Sequence, residues 1–290
     1  MKKGLLKGLA IAVALTFVLG GCGTSDSSNS TAANTADSTT TSDAAKDNQG
    51  SDKSWDKVKE KGEFVLGLDE NFPPMGFKDD SGEIVGYDID LATEVCSRLG
   101  VTLKIQPINW DAKDVELNTG NIDCIWNGFT IKEDRKKTVL FTEPYMDNQQ
   151  VLVVKGDSPY NTIDDLKGKK VSLQAGSSAA DALNSRADFK GTLKEVAELK
   201  DNALCLMDLE TGATDAVVMD EIVARYYIQM KKDNYKVLDG LTSEQYGIGF
   251  RINDVALMNK VQDTLKEMAK DGTIKTISEK WFGKDISTIK

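Results

Sequence analysis

The chain has 290 residues, 40% of them apolar and 28% charged, which is the composition of a globular protein long enough for two α/β lobes. Its net charge of −10 argues against a nucleic-acid partner, because a polyanion needs a positive surface. It contains no histidine, which excludes Ser-His-Asp and Cys-His catalysis and His-based metal sites, and we expect neither a cofactor nor a metal.

Residues 1–21 have the pattern of a secretory signal peptide. Three lysines (Lys2, Lys3 and Lys7) precede an apolar run at residues 9–19. That run is shorter than the ~20 residues that a permanent membrane-spanning helix needs. We therefore expect the leader to be removed, which leaves a net charge of −13 on the mature chain because three lysines are lost.

The leader ends in a segment that resembles a lipobox, in which Leu19, Gly20 and Gly21 precede Cys22. We expect lipidation of Cys22, whose acyl chains would anchor the protein to the outer face of the cell membrane. Residues 23–53 are small and polar, so the segment at 22–53 is expected to be a lipidated cysteine followed by a disordered tether. No later apolar stretch approaches spanning length, which predicts that the body lies outside the membrane.

Strand and helix patterns alternate after the tether. Strands are predicted at 64–68, 101–108 and 123–126, with helices at 87–99 and 114–118 between them. A second series has strands at 150–154, 170–174 and 213–219 and helical patterns at 162–166, 178–187 and 220–230. This alternation is typical of doubly wound α/β sheets.

The last part of the chain has no sheet of its own. A strand at 247–250 and helices at 254–270 and 274–282 fit best if the chain returns to complete the first lobe. We therefore expect lobe 1 at 54–146 and 246–290, lobe 2 at 147–245, and a two-strand hinge near 144–148 and 244–246.

Three cysteines remain in the body. Cys96 lies in an apolar helical pattern and Cys124 in a strand-like run, so both are interpreted as small buried hydrophobic residues. The alternative is a single disulfide among Cys96, Cys124 and Cys205, which would leave one thiol free.

Several motifs resemble, in order and spacing, the amino-acid-binding proteins of solute-binding protein family 3. They are the segments DENFPPMGF at 69–77, GYDIDL at 86–91, NGFTIKEDRKK at 127–137, FTEPY at 141–145, QAGSS at 174–178 and KWFG at 280–283. The resemblance covers about residues 55–283 and implies the type II periplasmic-binding-protein fold. It also implies a free amino acid as ligand, held between two lobes that close about the hinge, and delivery to an ABC permease and its ATPase.

A free amino acid carries a carboxylate and an ammonium that must both be paired when buried. For the carboxylate, Arg135 offers a planar fork and Thr130 a hydroxyl and backbone N–H, and the family pattern supports this pair. Ser177 and Ser178 begin a predicted helix, whose free N–H groups favour an anion.

For the ammonium, Asp220 follows a buried strand and matches the family's acidic residue, while Asn127 and Gly128 would add backbone carbonyls. Trp126 is interpreted as strand packing that points away from the site.

The resemblance also implies a side-chain subsite. Phe72 and Trp110 match the family's aromatic walls, Asp69 matches a position that faces the distal end of the ligand, and Gln174 could add a polar contact. An acid at that end suits a donor-bearing side chain such as that of Gln, Arg, Lys or ornithine, and a cystine-binding or arginine-binding member of the family remains open. Relatives that bind glutamine often carry a basic residue where Gln174 stands and a histidine where Met219 stands, so glutamine itself is less well supported.

We therefore expect a non-enzymatic, monomeric substrate-binding component of an importer. The alternatives are a sensory receptor module, which usually carries its signalling domain in the same chain, and a dehydratase on the same fold.

Overall fold

The computed structural model describes residues 52–230 and 234–290. The predicted signal peptide, Cys22 and the tether up to residue 51 lie outside the described residues. Within the described ranges, no helix is both long and apolar enough to cross a bilayer.

The elements of the first half alternate as predicted, with additional short strands. In chain order they are α1 (Ser54–Lys61), β1 (Glu63–Leu68), β2 (Asn71–Phe72), β3 (Gly76–Lys78), β4 (Ile84–Val85), α2 (Tyr87–Leu99), β5 (Thr102–Pro107), α3 (Lys113–Thr119), β6 (Cys124–Ile125), β7 (Val139–Phe141) and β8 (Met146–Lys155). Short 3-10 helices lie at Trp110–Ala112 and Arg135–Lys137.

The second half continues with β9 (Lys170–Gln174), α4 (Ser178–Ser185), α5 (Ala187–Lys190), β10 (Glu195–Leu199), α6 (Asn202–Thr211), β11 (Ala216–Asp220), α7 (Glu221–Met230), β12 (Tyr235–Tyr246), β13 (Gly249–Arg251), α8 (Val255–Lys270) and α9 (Thr273–Phe282). A further 3-10 helix lies at Ile163–Leu166.

Lobe 1 is built on a five-stranded sheet with the order β5-β1-β6-β13-β7. The strand β1 pairs in parallel with β5 and β6, whereas β13 runs antiparallel to β6 and β7. Because β13 comes from the end of the chain, the returning segment completes the first sheet, as the sequence predicts. The core of this lobe includes the fully buried Leu66, Leu91 and Phe250.

Lobe 2 is built on a second five-stranded sheet with the order β10-β9-β11-β8-β12. The strands β10, β9 and β11 are parallel, and β8 runs antiparallel to β11 and β12. Leu152, Leu173 and Val218 form part of its apolar core. The two lobes together form the type II periplasmic-binding-protein architecture that the motifs imply.

The chain passes between the lobes twice. β8 follows β7 at one passage, and β12 leads to β13 at the other. These two long strands pair antiparallel from Met146–Tyr246 to Lys155–Tyr235, so both passages lie side by side. A two-strand connection of this kind can bend without disturbing either sheet.

Gly86 precedes α2 at a position that excludes a side chain. Its φ is +147°, and a Cβ there would come within 2.2 Å of the Met75 carbonyl oxygen. The Tyr87 and Asp88 amides donate to the carbonyls of Pro74 and Met75, so the start of α2 is packed against the loop before β3.

The three cysteines of the body are buried and none is in a disulfide. Burial raises the pKa of the Cys96 and Cys205 thiols to about 12 and that of Cys124 well above its ordinary value. The interpretation of Cys96 and Cys124 as buried packing residues is confirmed, and Cys205 behaves in the same way.

Candidate functional site

The carboxyl ends of the parallel strands carry polar and aromatic side chains towards one cleft. In lobe 1, β1 is followed by Asp69, β5 by Trp110 and β6 by Asn127 and Gly128. In lobe 2, β9 and β11 end in Gln174 and Asp220 themselves. Ligands of α/β sheets bind at these strand ends, so the topology itself assembles a candidate site.

Nine of the eleven residues predicted to bind a ligand line one cavity between the lobes. They are Phe72, Trp110, Gly128, Thr130, Arg135, Gln174, Ser177, Ser178 and Asp220. The cavity holds about 10 Å³, roughly the space of a single water molecule, so the lobes are closed on each other. A molecule of amino-acid size can enter only when the lobes separate.

Arg135 lies at this cavity with its charge uncompensated by a carboxylate. Its Nη1 donates to the Thr130 carbonyl oxygen at 2.8 Å, and its guanidinium carbon lies 4.5 Å from the centre of the Phe129 ring. No carboxylate of the described residues lies within ion-pair distance of it. Burial lowers the pKa of Arg135, because the loss of water outweighs the attraction of more distant carboxylates, of which Asp114 and Asp134 act most strongly.

The amino end of α4 faces the same cavity from lobe 2. Ser177 is its N-cap, with Oγ accepting from the Ala179 amide at 3.2 Å. The Ser178 Oγ and the Thr130 Oγ1 lie 3.1 Å apart across the cleft. A helix amino end and a guanidinium therefore converge from opposite lobes, an arrangement suited to an anion.

Asp220 lies at the acidic end of the site and is 4% exposed. Its Oδ1 accepts from Asn148 Nδ2 at 2.8 Å, Gln150 Nε2 at 2.8 Å and the Tyr246 hydroxyl at 2.6 Å. Burial, together with the negative charge of Glu244, raises the pKa of Asp220 well above its ordinary value. A cation at Asp220 would offset both effects.

The partners of Asp220 were not predicted from the sequence. Asn148 and Gln150 project from one face of β8, and Glu244 and Tyr246 from one face of β12, each pair two residues apart. The hinge was predicted at these positions, so the alternation of side chains along its two strands was the signal that could have found them.

Asp69 and Asn127 lie behind the cavity and are not part of its wall. Asp69 is 6% exposed, and its Oδ2 accepts from Gln174 Nε2 at 2.7 Å across the cleft. Burial raises the pKa of Asp69 to about 6, although the hydrogen bonds from the Asn71 amide and from Gln174 stabilise the carboxylate and act to lower it. Asn127 Oδ1 accepts from the Asp69 amide at 3.0 Å, whereas its buried Nδ2 has no hydrogen-bond partner.

Two aromatic residues and one glycine shape the apolar wall. Phe72 and Trp110 are 5% and 7% exposed, and Trp110 makes an edge contact with Phe129 at 5.8 Å between ring centres. Gly128 has a φ of +59°, and a Cβ there would lie 2.7 Å from Phe72 Cε1. Trp126 is fully buried in the apolar core, as its interpretation as strand packing predicts.

The backbone of Gly128 is fixed by a buried acid. The Gly128 amide donates to Asp88 Oδ2 at 2.8 Å, and the Tyr145 hydroxyl donates to the same oxygen at 2.9 Å. Asp88 is fully buried, and this burial raises its pKa to about 7.

Two lysines of lobe 1 also contact lobe 2. Lys113 Nζ donates to the Gly176 carbonyl at 2.9 Å and is 4% exposed, and Lys132 pairs with Asp181. Burial, followed by the positive charge of Arg135, lowers the pKa of Lys113 to about 8. Across 52–230 and 234–290 there is no group of three or more Cys, Asp or Glu side chains placed to hold a metal.

Comparison with known proteins gives a consistent result. Residues 64–284 match the family described as bacterial extracellular solute-binding proteins, family 3. The L-cystine-binding protein TcyJ of Escherichia coli (strain K12) is 34% identical over 234 residues, which cover 80% of this chain and 86% of TcyJ.

Two solved structures have the same fold. Tv2483 bound to L-arginine is 33% identical, with a TM-score of 0.79 and coverage of 82% of this chain and 98% of that chain. A substrate-binding protein of an ABC uptake transporter from Streptococcus pneumoniae, with bound histidine, is 36% identical, with a TM-score of 0.79 and coverage of 83% and 100%.

Proposed function

The chain belongs to family 3 of the bacterial extracellular solute-binding proteins, and we propose that it is the extracytoplasmic substrate-binding component of an ABC importer for a polar amino acid. Its ligand is a zwitterion that binds between the lobes and favours their closure. The names of the relatives support this class, since TcyJ is a cystine-binding protein and the two solved structures hold arginine and histidine.

The observation that carries the proposal is the placement of Arg135 and Asp220 on one cavity, from different lobes. Among the described residues, Arg135 is a half-buried cation with no carboxylate at ion-pair distance, and Asp220 is a buried acid with no cation at that distance. A zwitterion supplies both missing charges at once. Because each end of it is held by a different lobe, it binds the closed state better than the open one, and this difference drives closure.

The carboxylate is proposed to bind Arg135, Thr130, Ser177 and Ser178. The ammonium is proposed to bind Asp220, with the backbone of Gly128 and the adjacent Asn127. Phe72 and Trp110 are the proposed walls on either side of the ligand.

The distal end of the ligand is proposed to reach Asp69 and Gln174. Asp69 is an acid whose pKa is raised by burial, so a donor-bearing group near it would be favoured. Arginine, lysine, ornithine, glutamine and one end of cystine all carry such donors. The Gln174 amide, which donates to Asp69 in the closed cleft, can turn to accept or donate to this group.

We propose further that the protein is anchored by lipidated Cys22, delivers its ligand to a permease and ATPase complex as a monomer, and catalyses no reaction. The two acids of the cleft are explained by the two cationic ends of the ligand. Incubation with prephenate-like acids should therefore give no product, and turnover by the purified protein would contradict this part.

A thermal-shift screen of the protein tests the main proposal. The standard amino acids, ornithine, citrulline and cystine are added one at a time, and the true ligand must raise the melting temperature because it binds only the folded form. The same screen on Arg135→Ala should show a much smaller shift at equal ligand concentration, whereas Arg186→Ala, which removes an exposed arginine of lobe 2, should respond like the wild type. No shift with any amino acid would refute the proposal.

A further inference from the structure

Glu244 lies beside Asp220 in lobe 2. The Asn148 Nδ2 donates to Asp220 Oδ1 at 2.8 Å and to Glu244 Oε1 at 2.6 Å. The Gln150 Nε2 donates to the same two oxygens at 2.8 and 2.9 Å. Two carboxyl groups that share both of these amides are held close enough to repel each other when both are ionised.

The hydrogen bonds around this pair leave it short of donors. The two hydrogens of Gln150 Nε2 face three acceptors, Asp220, Glu244 and the Ser178 Oγ. The hydrogen bonds from Asn148, Gln150 and Tyr246 to the Asp220 carboxyl all end on Oδ1, so none of these three donors occupies Oδ2. The buried Gln150 Oε1 also has no partner. An added group with several N–H or O–H donors would satisfy these acceptors.

All members of this group belong to lobe 2, on β8, β11, β12 and α4. The pair is therefore carried by lobe 2 and its two hinge strands and is not brought together from opposite lobes. The Ser178 Oγ, 3.5 Å from Glu244 Oε1, joins the pair to the wall of the ligand cavity.

Glu244 also lines a larger cavity on the hinge side, of about 530 Å³. This cavity gives a proton on the pair a route to solvent. The charged and titratable groups that face Glu244 or line this cavity beside it are Asp220, Tyr246, Arg135, Asp147 and Glu221. Of these, only Arg135 is a cation, and it belongs to the opposite lobe.

We propose that Glu244 is the second carboxylate of the ammonium subsite, and that the ligand's ammonium replaces a proton shared between Glu244 and Asp220. The inference rests on the proposed function. When the ammonium enters, the shared proton leaves to solvent through the hinge cavity, and the two carboxylates together face one cation. Displacement at this subsite therefore releases up to one proton, in addition to any that Asp69 loses to a cationic distal end of the ligand.

Isothermal titration of the full chain in buffers of different ionisation enthalpy measures this release. L-arginine and L-cystine are the probes, because the imidazole of L-histidine titrates within the pH range used; each one that raises the melting temperature is titrated between pH 5.5 and 7.5. The wild type should release a proton on binding, so its affinity should rise with pH by up to about tenfold per pH unit where the pair holds the proton.

Glu244→Gln should bind roughly 10- to 100-fold more weakly and release much less proton, because the amide neither shares a proton nor attracts the ammonium. Glu198→Gln is the matched control, since it removes the same charge from an exposed position in the same sheet. The melting point of each unliganded variant reports its fold, and that of Glu244→Gln should stay at or above the wild-type value.

Wild-type affinity and proton release in Glu244→Gln would overturn the inference and leave the proposed function intact. Binding by the wild type without any proton release would also overturn it. A wild-type protein that none of the amino acids stabilises would instead refute the proposed function.

Discussion

Replacing Arg135 by methionine removes the guanidinium fork and keeps an unbranched side chain that can still cover the Phe129 ring. In the closed cleft, the Arg135 side chain makes one hydrogen bond within the described chain, to the Thr130 carbonyl. Its remaining N–H groups are available to a carboxylate. We expect the substitution to leave the ligand carboxylate buried and unpaired, at a cost of about 2–5 kcal/mol of binding free energy.

That cost corresponds to a loss of about 30- to 4,000-fold in affinity. Isothermal titration with L-arginine, L-histidine and L-cystine measures it, and Arg186→Met is the matched control. Arg135→Lys should fall between the wild type and Arg135→Met, because an ammonium keeps the charge without the two-pronged geometry. Wild-type affinity in Arg135→Met would refute the assignment of the carboxylate.

The unliganded fold should respond differently to the same change. Burial lowers the pKa of Arg135, so the charged side chain is held in the closed cleft at a cost. Removing it forfeits the hydrogen bond to Thr130 and the contact with Phe129, and it also removes an unpaired buried charge. These effects oppose each other, and the free energy of unfolding should change by no more than about 1 kcal/mol. A large loss of stability in urea unfolding would mean that Arg135 is structural.

Three further changes test the rest of the site. Asp220→Asn should weaken binding by about 2–5 kcal/mol in titration calorimetry, while the melting temperature of the unliganded protein stays equal or rises, because a buried acid has been removed. Gly128→Ala should lower the free energy of unfolding in urea by about 1–3 kcal/mol and weaken binding, since its Cβ would lie 2.7 Å from Phe72. Its control is Gly120→Ala, where the glycine also has a positive φ but no atom lies near the added Cβ. Asp88→Asn should remove a pH dependence of the free energy of unfolding. In the wild type, Asp88 keeps its proton up to about pH 7 in the folded state but loses it near pH 4 when unfolded. The free energy of unfolding of the wild type should therefore fall relative to that of the variant, by on the order of 3 kcal/mol, as the pH rises from 4 to 7.

Much of the architecture follows from local patterns. The strand β1 and the helices α2 and α8 have strong apolar periodicity, and their predicted bounds lie within one residue of those observed. The strands β10 and β12 and the helix α6 were not predicted. In α6, apolar residues occupy buried and exposed positions alike, for example Leu206 and Met207, so no single face stands out.

The strand β12 was missed for a different reason. Its sequence combines polar residues with Gly240, where the register against β8 shifts. It is held in place by pairing with β8, about 90 residues earlier in the chain, and local propensity does not show such a partner. Glu244 and Tyr246 lie on this strand, so their place beside Asp220 was not predicted.

The cations of the cleft and the two acids of the proposed ammonium subsite lie on different lobes. Lys113, Lys132 and Arg135 come from lobe 1, whereas Asp220 and Glu244 come from lobe 2. Within the described chain, Arg135 makes no direct ion pair with either acid, because Thr130 and Phe129 hold its guanidinium in place. If these charges paired directly, a ligand would have to break that pair to bind. Since they remain apart, a zwitterion can pair with Arg135 and with Asp220 without first breaking an ion pair between them, and the interactions that it gains with both lobes favour closure.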